Sequence, residues 1–431
     1  MKDAESETGI SSNEGKLPIP AIKVDEERTP QSLEGPPDGG TRAWLVVSGA
    51  FCILFSTLGY ANSFGVFQEY YLSHQLRKES PDNIAWIGSL SVFLQLSTSA
   101  IAGPLFDRFG TWLLWPAAFF YIFAIMMVSI CQDYWHFVLT QGVVMGVLMA
   151  LFMVPAMAAV SQYFDKHRAA ALGVTVSGSS IGGIVFPIAL SRMLNGSSLG
   201  FGWSIRIIGF GLLPVLAFSC LTIRTRLPPR TTSFFIRAAF KDVKFILLIA
   251  ATAFLFIGFS TPIFFLPTYA VTRGVDATLA SYMLAIINGA SAFGRIIPGV
   301  LADKLGRLNV LGIGAIVTGI TVSCMNEAKS TVALIVFSVA FGFSSGTIVS
   351  GIAAAFSLCA NDPRDIGTYM GMGMAIASIT ALIGPPINGA LVGKYDGFYE
   401  ACIFSGIMCL VGGFIVLGSK MTTAQGILGK I

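Results

Sequence analysis

The amino-acid sequence predicts an all-α polytopic membrane protein in which twelve transmembrane helices form two repeated halves of six. Three observations predict this class: the composition, a series of long apolar segments, and a motif that occurs twice. Apolar residues make up 54% of the 431-residue chain and charged residues only 12%. Soluble domains contain about 25% charged residues, so a chain this poor in charge is expected in a lipid bilayer.

The second observation is a series of twelve apolar segments, each long enough to cross a membrane. A helix needs about 20 apolar residues to span a hydrocarbon core of about 30 Å. A polar or Gly/Pro-rich stretch separates each segment from the next. The predicted spans are 43–67, 84–106, 112–130, 136–160, 169–191, 203–223, 245–268, 278–302, 308–325, 331–357, 367–392 and 398–418.

The third observation is a motif that recurs 196 positions later. The first copy is Gly103-Pro-Leu-Phe-Asp107-Arg108-Phe-Gly110, and the second is Gly299-Val-Leu-Ala-Asp303-Lys304-Leu-Gly306-Arg307. Both copies follow the second apolar segment of a group of six. A motif that repeats at half the chain length indicates an internally duplicated transporter.

Each copy of the motif is predicted to form a tight turn and to take part in gating. The last glycine of each copy suits a backbone turn that a side chain would obstruct, and the first glycine allows close helix packing. The aspartate can accept hydrogen bonds from a facing helix N-terminus or pair with arginine. Such contacts would hold one state of an alternating-access cycle, whereas the alternative is a charged turn that only fixes topology. The residues assigned to gating are Gly103, Asp107, Arg108, Gly110, Gly299, Asp303, Lys304, Gly306 and Arg307.

The chain is predicted to consist of two six-helix halves, 43–223 and 245–418, joined by the basic, proline-containing linker 224–244. The polar tail 1–42 contains five prolines and is predicted to be disordered, because it cannot bury a core. A short C-terminal tail covers 419–431.

The distribution of Lys and Arg predicts that both termini are cytoplasmic. With twelve spans, the tails and the even-numbered loops lie on one side, and that side carries 19 of the 27 Lys and Arg. Positively charged loops stay in the cytoplasm. The net charge of +4 reflects this asymmetry and does not indicate nucleic-acid binding.

Two separated segments carry a family resemblance. The segment Tyr163-Phe164-Asp-Lys166-His167-Arg168-Ala-Ala-Ala171-Leu-Gly173 combines an aromatic pair, a basic cluster and spaced small residues, and Asp38-Gly39-Gly40 lies shortly before Trp44. They resemble the fifth-helix and first-helix signatures of the monocarboxylate porter family, in particular its fungal branch, within the major facilitator superfamily. The resemblance covers about residues 38–418. It implies the major facilitator fold, a substrate held between the halves, and the plasma membrane as location.

Arg295 is the principal candidate for substrate binding, because it is the one Lys, Arg, Asp or Glu in the middle of a predicted span. It lies eight residues before Asp303, about 12 Å inside the membrane. An unpaired guanidinium at such a depth costs at least about 2.5–3.5 kcal/mol, so it normally faces a cavity and binds a ligand. Its planar fork suits a carboxylate. The alternative is an arginine held by backbone carbonyls that reaches toward the interface.

The resemblance implies the same role for Arg295 but not the same energy coupling. Proton-coupled animal members carry an aspartate one turn before this arginine and a lysine in the first helix, whereas this chain has Ser291 and Asn62 there. Facilitated diffusion and coupling through another group both stay open. Aromatic residues of the first and seventh spans, including Tyr60 and Phe264, could line an apolar cavity. The predicted substrate-binding residues are Arg295, Asn62, Ser291, Tyr60 and Phe264.

These residues favour one of three classes of function, a transporter, a nutrient sensor or an enzyme. A transporter of a small organic compound with a carboxylate or enolate fits a buried arginine in an apolar interior. Export of a fungal secondary metabolite is favoured, because the coupling residues are absent, over uptake of a monocarboxylate or vitamin-like nutrient. A non-transporting nutrient sensor is less favoured, since both tails are short. An enzyme is not expected, because the spans contain no His/Asp cluster, no HExxH and no paired carboxylates.

The remaining predictions concern cofactors, partners and modification. The seven cysteines lie in or near spans without a ligand spacing, so no metal or other cofactor is expected. The expected partners are a small organic anion and membrane lipid, and the protein is expected to be a monomer. Asn195-Gly-Ser is an acceptor sequence for N-glycosylation.

Overall fold

The computed structural model describes residues 36–195, 198–228, 235–360 and 362–422, which form a bundle of long helices. We number the membrane helices α1 to α12 in chain order. The first six are α1 Gly40–Ser73, α2 Pro81–Ser97 continued by Ser99–Phe109, α3 Leu114–Val128, α4 Tyr134–Tyr163, α5 Arg168–Asn195 and α6 Gly200–Thr222. The last six are α7 Val243–Thr272, α8 Ala277–Leu305, α9 Arg307–Ser323, α10 Thr331–Phe356, α11 Ile366–Tyr395 and α12 Tyr399–Ser419.

Short 3-10 helices connect some of these elements, and α4 contains a π-helical stretch. The 3-10 helices are Gly110–Leu113, Arg237–Lys241, Met325–Glu327, Pro363–Asp365 and Lys420–Thr422. The π-helical stretch is Val138–Val144. Helix α1 begins at Gly40, three residues before the predicted span. Most of the predicted tail, residues 1–35, and parts of the predicted linker and C-terminal tail lie outside the described residues.

The second predicted span, 84–106, corresponds to two helical segments that meet at Thr98. In the described part of the chain, eleven helices are long and apolar enough to cross a membrane, and a shorter apolar helix covers Asn83–Ser97. The chain continues from this helix through Thr98, which keeps right-handed helical angles, into Ser99–Phe109. Gly110 then adopts a φ of 63°, a conformation that favours glycine, and ends α2 before α3 begins. Twelve helical passages result, as the sequence predicts.

Helices α1 and α7, the first of each group of six, are both interrupted. Around the α7 break, Asn388 of α11 donates to the Oγ of Ser260 at 3.2 Å. Ser405 of α12 donates to the Oδ1 of Asn388 at 3.0 Å. Such bonds satisfy polar groups that have no water partner in lipid. The continuous segments are Gly40–Ser56, Leu58–Ala61 and Phe64–Ser73 in α1, and Val243–Gly258 and Ser260–Thr272 in α7.

The packing partners of the helices repeat with a shift of six. Among the first six helices, α1 packs on α5 and α6, α2 on α4, and α3 on α6; among the last six, α7 packs on α11 and α12, α8 on α10, and α9 on α12. The two sets meet where α5 packs on α8 and where α2 packs on α11. An internal duplication produces this pairing scheme.

Candidate functional site

Arg295 crosses from α8 to α5 in the interior of the bundle. Its side chain is 7% exposed, and its Nη1 donates to the backbone oxygen of Val176 at 2.7 Å and to the Oγ of Ser179. The buried Nε makes no hydrogen bond. Within the described residues no carboxylate pairs with the guanidinium. A guanidinium has five N–H donors in one plane, and the described hydrogen bonds of Arg295 come from its Nη1 alone.

Two asparagine amides converge next to this arginine. Asn62 of α1 donates from Nδ2 to the backbone oxygen of Ser179 at 3.3 Å, so it shares that residue with Arg295. Gly183 lies one turn further along α5. A Cβ added to Gly183 would lie 2.9 Å from the Nδ2 of Asn62 and 3.0 Å from the Oδ1 of Asn288 in α8. The missing side chain therefore lets the two amides approach each other at the meeting point of α1, α5 and α8.

The other three residues predicted for substrate binding lie apart from this group. Ser291 is 4% exposed and faces α10, where a Cβ added to Gly346 would lie 3.0 Å from its Oγ. Tyr60 is buried and packs against Phe67, with 5.4 Å between the ring centroids. Phe264 is 53% exposed on α7. The described hydrogen bonds and ring contacts connect none of these three side chains with Arg295.

Close backbone contact brings α5 to α8 and α2 to α11. A Cβ added to Gly173 of α5 would lie 2.2 Å from the backbone oxygen of Arg295. A Cβ added to Gly103 of α2 would lie 2.1 Å from the backbone oxygen of Gly367, and one added to Gly299 would lie 2.7 Å from that of Ala169. Real Cβ atoms do not approach that closely, so these glycines set the helix separations.

The aspartate of the second motif copy lies at the N-terminus of α5. The Oδ1 of Asp303 accepts a hydrogen bond from the N–H of Ala169 at 2.9 Å, and its Oδ2 accepts one from Ala170 at 2.8 Å. A carboxylate satisfies free N–H groups there and complements the positive end of the helix dipole. Gly306 follows with a φ of 100° and turns the chain into α9.

The aspartate of the first copy makes the related contact with α11. The Oδ2 of Asp107 accepts hydrogen bonds from the N–H of Thr368 at 2.7 Å and from its Oγ1 at 2.6 Å. A Cβ added to Gly367 would lie 2.5 Å from the Oδ1 of Asp107, so a glycine is required beside the carboxylate. We call the end of the bundle where α2 and α8 finish the motif end, and the contacts of Asp107 and Asp303 the two clamps.

The two segments that carry the family resemblance contact each other at the motif end. The Oδ1 of Asp38 accepts hydrogen bonds from the backbone N–H groups of Asp165 at 2.6 Å and Lys166 at 2.7 Å. The ring of Trp44 meets Phe164 edge-on at 5.5 Å. Asp38 itself has a φ of 51°, and Gly39 and Gly40 follow with positive φ. The beginning of α1 is thereby attached to the loop that leads into α5.

Basic side chains tie this loop to the last six helices. Arg168 is buried; its Nε donates to the backbone oxygen of Phe164 at 2.8 Å and its Nη1 to that of Ser357 at 3.5 Å. Arg307 of α9 donates to the backbone oxygen of Asp165, and its Nε lies 3.7 Å from the Oδ1 of Asp303. The second clamp is therefore reinforced by an arginine.

Three of the predicted residues have side chains that face outward. Lys166, Lys304 and Arg108 have exposed side chains, as expected for basic groups at a membrane surface. Asn195 is the last residue of α5. The two residues that follow it in the acceptor sequence, 196 and 197, lie outside the described residues.

Four residues at these contacts were not assigned to a site by sequence reasoning: Ser179, Gly183, Asn288 and Gly367. Asn288 offered a usable signal, because a polar amide seven residues before Arg295 lies on the same face of a membrane helix. Ser179 and the two glycines offered none, because small residues are common wherever membrane helices pack.

A comparison with family models finds one match, the Major Facilitator Superfamily, over residues 49–299 and 290–425. Solved structures of the same fold include the human organic anion transporter MFSD10 (TETRAN), with a TM-score of 0.68 at 14% identity, covering 88% of this chain and 100% of that one. The transporter FucP in the outward conformation has a TM-score of 0.67 at 16% identity and covers 88% of this chain and 99% of its own.

Curated relatives are similar along most of the sequence. The aspyridones efflux protein apdF of Emericella nidulans is 47% identical over 403 residues, which are 94% of this chain and 82% of the relative. The agnestins efflux protein AgnL12 of Paecilomyces divaricatus is 38% identical over 90% of both chains. The fujikurins efflux protein of Gibberella fujikuroi is 36% identical over 97% of this chain and 92% of its own. With its repeated motif, its twelve helical passages and these matches, the chain belongs to the Major Facilitator Superfamily.

Proposed function

We propose that this protein exports a small organic metabolite with an acidic oxygen, a carboxylate or an enolate, by alternating access. The observation that carries the substrate class is Arg295, a buried cation between α5 and α8 whose Nε makes no hydrogen bond. A buried guanidinium without a carboxylate partner gains most from an anionic ligand, because the ligand offsets its desolvation. The direction of transport is supported by relatives that are named efflux proteins for secondary metabolites.

The proposed cycle uses the two clamps as the gate. The side with 19 of the 27 Lys and Arg includes the motif end, so we assign that end and both termini to the cytoplasm. With Asp107 bonded to Thr368 and Asp303 to Ala169 and Ala170, the cytoplasmic path is closed and the site opens outward. Release of both clamps would open the site to the cytoplasm for loading. Arg108, Lys304 and Arg307 would anchor these loops at the membrane surface.

We further assign the chain to the monocarboxylate porter-like members of the superfamily. The contact between Asp38-Gly39-Gly40 and the Tyr163–Arg168 segment supports this assignment, because the two signatures act on the same helix start. A plasma-membrane location, a monomeric state with lipid around it, and a modified Asn195 on the outer side complete the proposal.

The test compares metabolites inside and outside cells that carry the gene with those of cells in which it is deleted. We expect one acidic compound to accumulate inside the deletion strain and to decrease in its medium. Proteoliposomes loaded with that compound should then release it only when the purified protein is present. A compound that stays unused in the medium of the deletion strain would identify an importer and refute the proposal. Absence of flux in proteoliposomes would favour a sensor.

A further inference from the structure

We infer that Asn62 and Asn288 form an amide-recognition subsite beside Arg295, so that the protein selects organic acids that also carry an amide or lactam group. The inference rests on the proposed function and specifies its substrate class further. It is drawn from the positions of three polar side chains, Asn62 on α1 and Asn288 and Arg295 on α8, each of which leaves hydrogen-bonding capacity unused.

Both asparagine side chains keep hydrogen-bonding groups that are not used within the described part of the protein. The Nδ2 of Asn62 donates to the backbone oxygen of Ser179, and the Nδ2 of Asn288 donates to the backbone oxygen of Leu284 at 3.0 Å. Among the described residues, no donor bonds to the Oδ1 of either amide, so both oxygens are free acceptors. A primary amide has two N–H donors and two acceptor lone pairs. The pair can therefore receive an N–H group and donate to a C=O group.

The side chains of Asn62 and Asn288 are both accessible from outside the packed helices. Asn62 is exposed and Asn288 is half-buried, although both lie in the middle of membrane helices. Asn62 bonds to α5 and lies close to α8 across Gly183, so its exposed part faces the space between the helices and not lipid. Exposed amides at this depth are costly unless water or a ligand satisfies them.

The two asparagines lie at a fixed distance from the guanidinium of Arg295. Asn288 and Arg295 are seven residues apart on α8, about 10 Å along the axis on one face. On α5, Gly183 and Ser179 are four residues apart, about 6 Å. The acidic oxygen held by Arg295 and the amide held by the two asparagines are therefore separated by roughly 6–10 Å. A simple monocarboxylate such as lactate cannot reach both subsites.

The experiment uses three probes that differ in one group at a time: 6-acetamidohexanoate, 6-acetoxyhexanoate, which lacks the N–H, and N-hexylacetamide, which lacks the acid. Binding of each probe to the purified full-length protein in lipid nanodiscs is measured. We expect the acetamido acid to bind about threefold to tenfold more tightly than the acetoxy acid, as for a hydrogen bond formed away from water. The neutral amide should bind more weakly still.

Variants separate the two subsites. Asn288→Leu should abolish the preference for acetamido over acetoxy while it keeps the preference for an acid. Gly183→Ala should do the same, because its Cβ would push the two amides apart. Gly289→Ala is the matched control, since its Cβ would make only an ordinary contact, 3.7 Å from Ile184. Size-exclusion profiles and melting temperatures check that each variant is folded.

The outcomes distinguish this inference from the proposed function. Wild-type binding that is absent, or indifferent to the N–H, overturns the amide subsite, as does an unchanged preference in Asn288→Leu. Efflux that depends on Arg295 without any amide preference would leave the proposed export standing and refute only this inference. The expected binding pattern without efflux would support the amide subsite and refute the proposed export.

Discussion

At the scale of the residue, Arg295 is both held in place and incompletely hydrogen-bonded. It is held firmly, because Val176 and Ser179 of α5 accept hydrogen bonds from its Nη1. It is also incompletely satisfied, because its buried Nε has no acceptor. The two bonds orient the planar fork, and a planar fork of this kind suits a carboxylate, which is the basis of the proposed substrate class.

Replacing Arg295 tests this directly. Arg295→Gln should lower export of the acidic metabolite by about tenfold or more, because a charged hydrogen bond contributes roughly 1.5–3 kcal/mol. Arg295→Lys should retain part of the activity, since an ammonium keeps the charge but not the fork. Export rates and apparent affinity in proteoliposomes provide the measurement. Arg206→Gln is the control, because that arginine bonds to Ser129 away from the site. Wild-type rates and affinity in Arg295→Gln would contradict an anion site at this residue.

At the scale of the element, α5 contacts Asp303, Arg295 and Asn62. Its N-terminus accepts the Asp303 clamp, and its middle bonds to Arg295 and Asn62. Glycines allow this, because Gly173 meets the backbone of α8 and Gly183 makes room for the amides. The Asp303 contact and the contacts of Arg295 and Asn62 therefore lie on one helix, and in the proposed cycle a movement of α5 would alter both.

Enlarging Gly173 tests the role of this close packing. Gly173→Ala places a Cβ 2.2 Å from the backbone oxygen of Arg295, so α5 and α8 must separate. We expect a loss of about 1–3 kcal/mol, as for overpacked cores, visible as a melting temperature lowered by a few degrees together with reduced export. Gly211→Ala on α6 is the matched control, because nothing lies within 4 Å of its added Cβ. Equal melting temperatures and rates for both variants would show that the contact is unimportant.

At the scale of the whole molecule, the two clamps use the same physical device at related positions. Each aspartate ends the second helix of its group of six and caps a helix of the other group, α11 for Asp107 and α5 for Asp303. The two motif copies differ at the residue after the last glycine. The second copy has Arg307 there, which lies next to Asp303, whereas the first copy has Thr111. In the proposed cycle, both clamps act on one equilibrium between two arrangements of the bundle.

Neutralising the clamps should therefore shift that equilibrium additively. Asp107→Asn and Asp303→Asn should each favour the state open at the motif end by about 0.5–2 kcal/mol, and the double variant should shift it by the sum. The rate of thiol labelling of Ser357→Cys, in a background where serine replaces the native cysteines, measures this opening, because Ser357 is 2% exposed at the motif end. Asp396→Asn, at the C-terminal end of α11, serves as control. A double variant that labels at the wild-type rate would rule out these contacts as a gate.

Much of the architecture follows from local sequence. Three features could be predicted because each depends on a few neighbouring residues. They are the twelve apolar segments, the repeated motif and the turn glycines at 110 and 306, which have positive φ. The length of an apolar run decides whether a helix can cross lipid, and a turn needs glycine wherever it occurs. Arg295 could be identified for the same reason, because a lone charge within an apolar segment is conspicuous without any knowledge of its partners.

The partners themselves were decided only by the tertiary structure. Nothing local indicates that Asp107 caps α11, that Arg295 and Asn62 share Ser179, or that Asp38 holds the start of α5. These contacts join residues more than a hundred positions apart, and they depend on which glycine-lined faces approach each other. Tyr60 and Ser291 show the same limit, because their spacing along a helix does not reveal which neighbour each side chain faces. The sequence by itself determined the membrane class, the repeat and the buried cation, whereas helix packing determined the site, because packing alone brings distant polar groups within hydrogen-bonding distance.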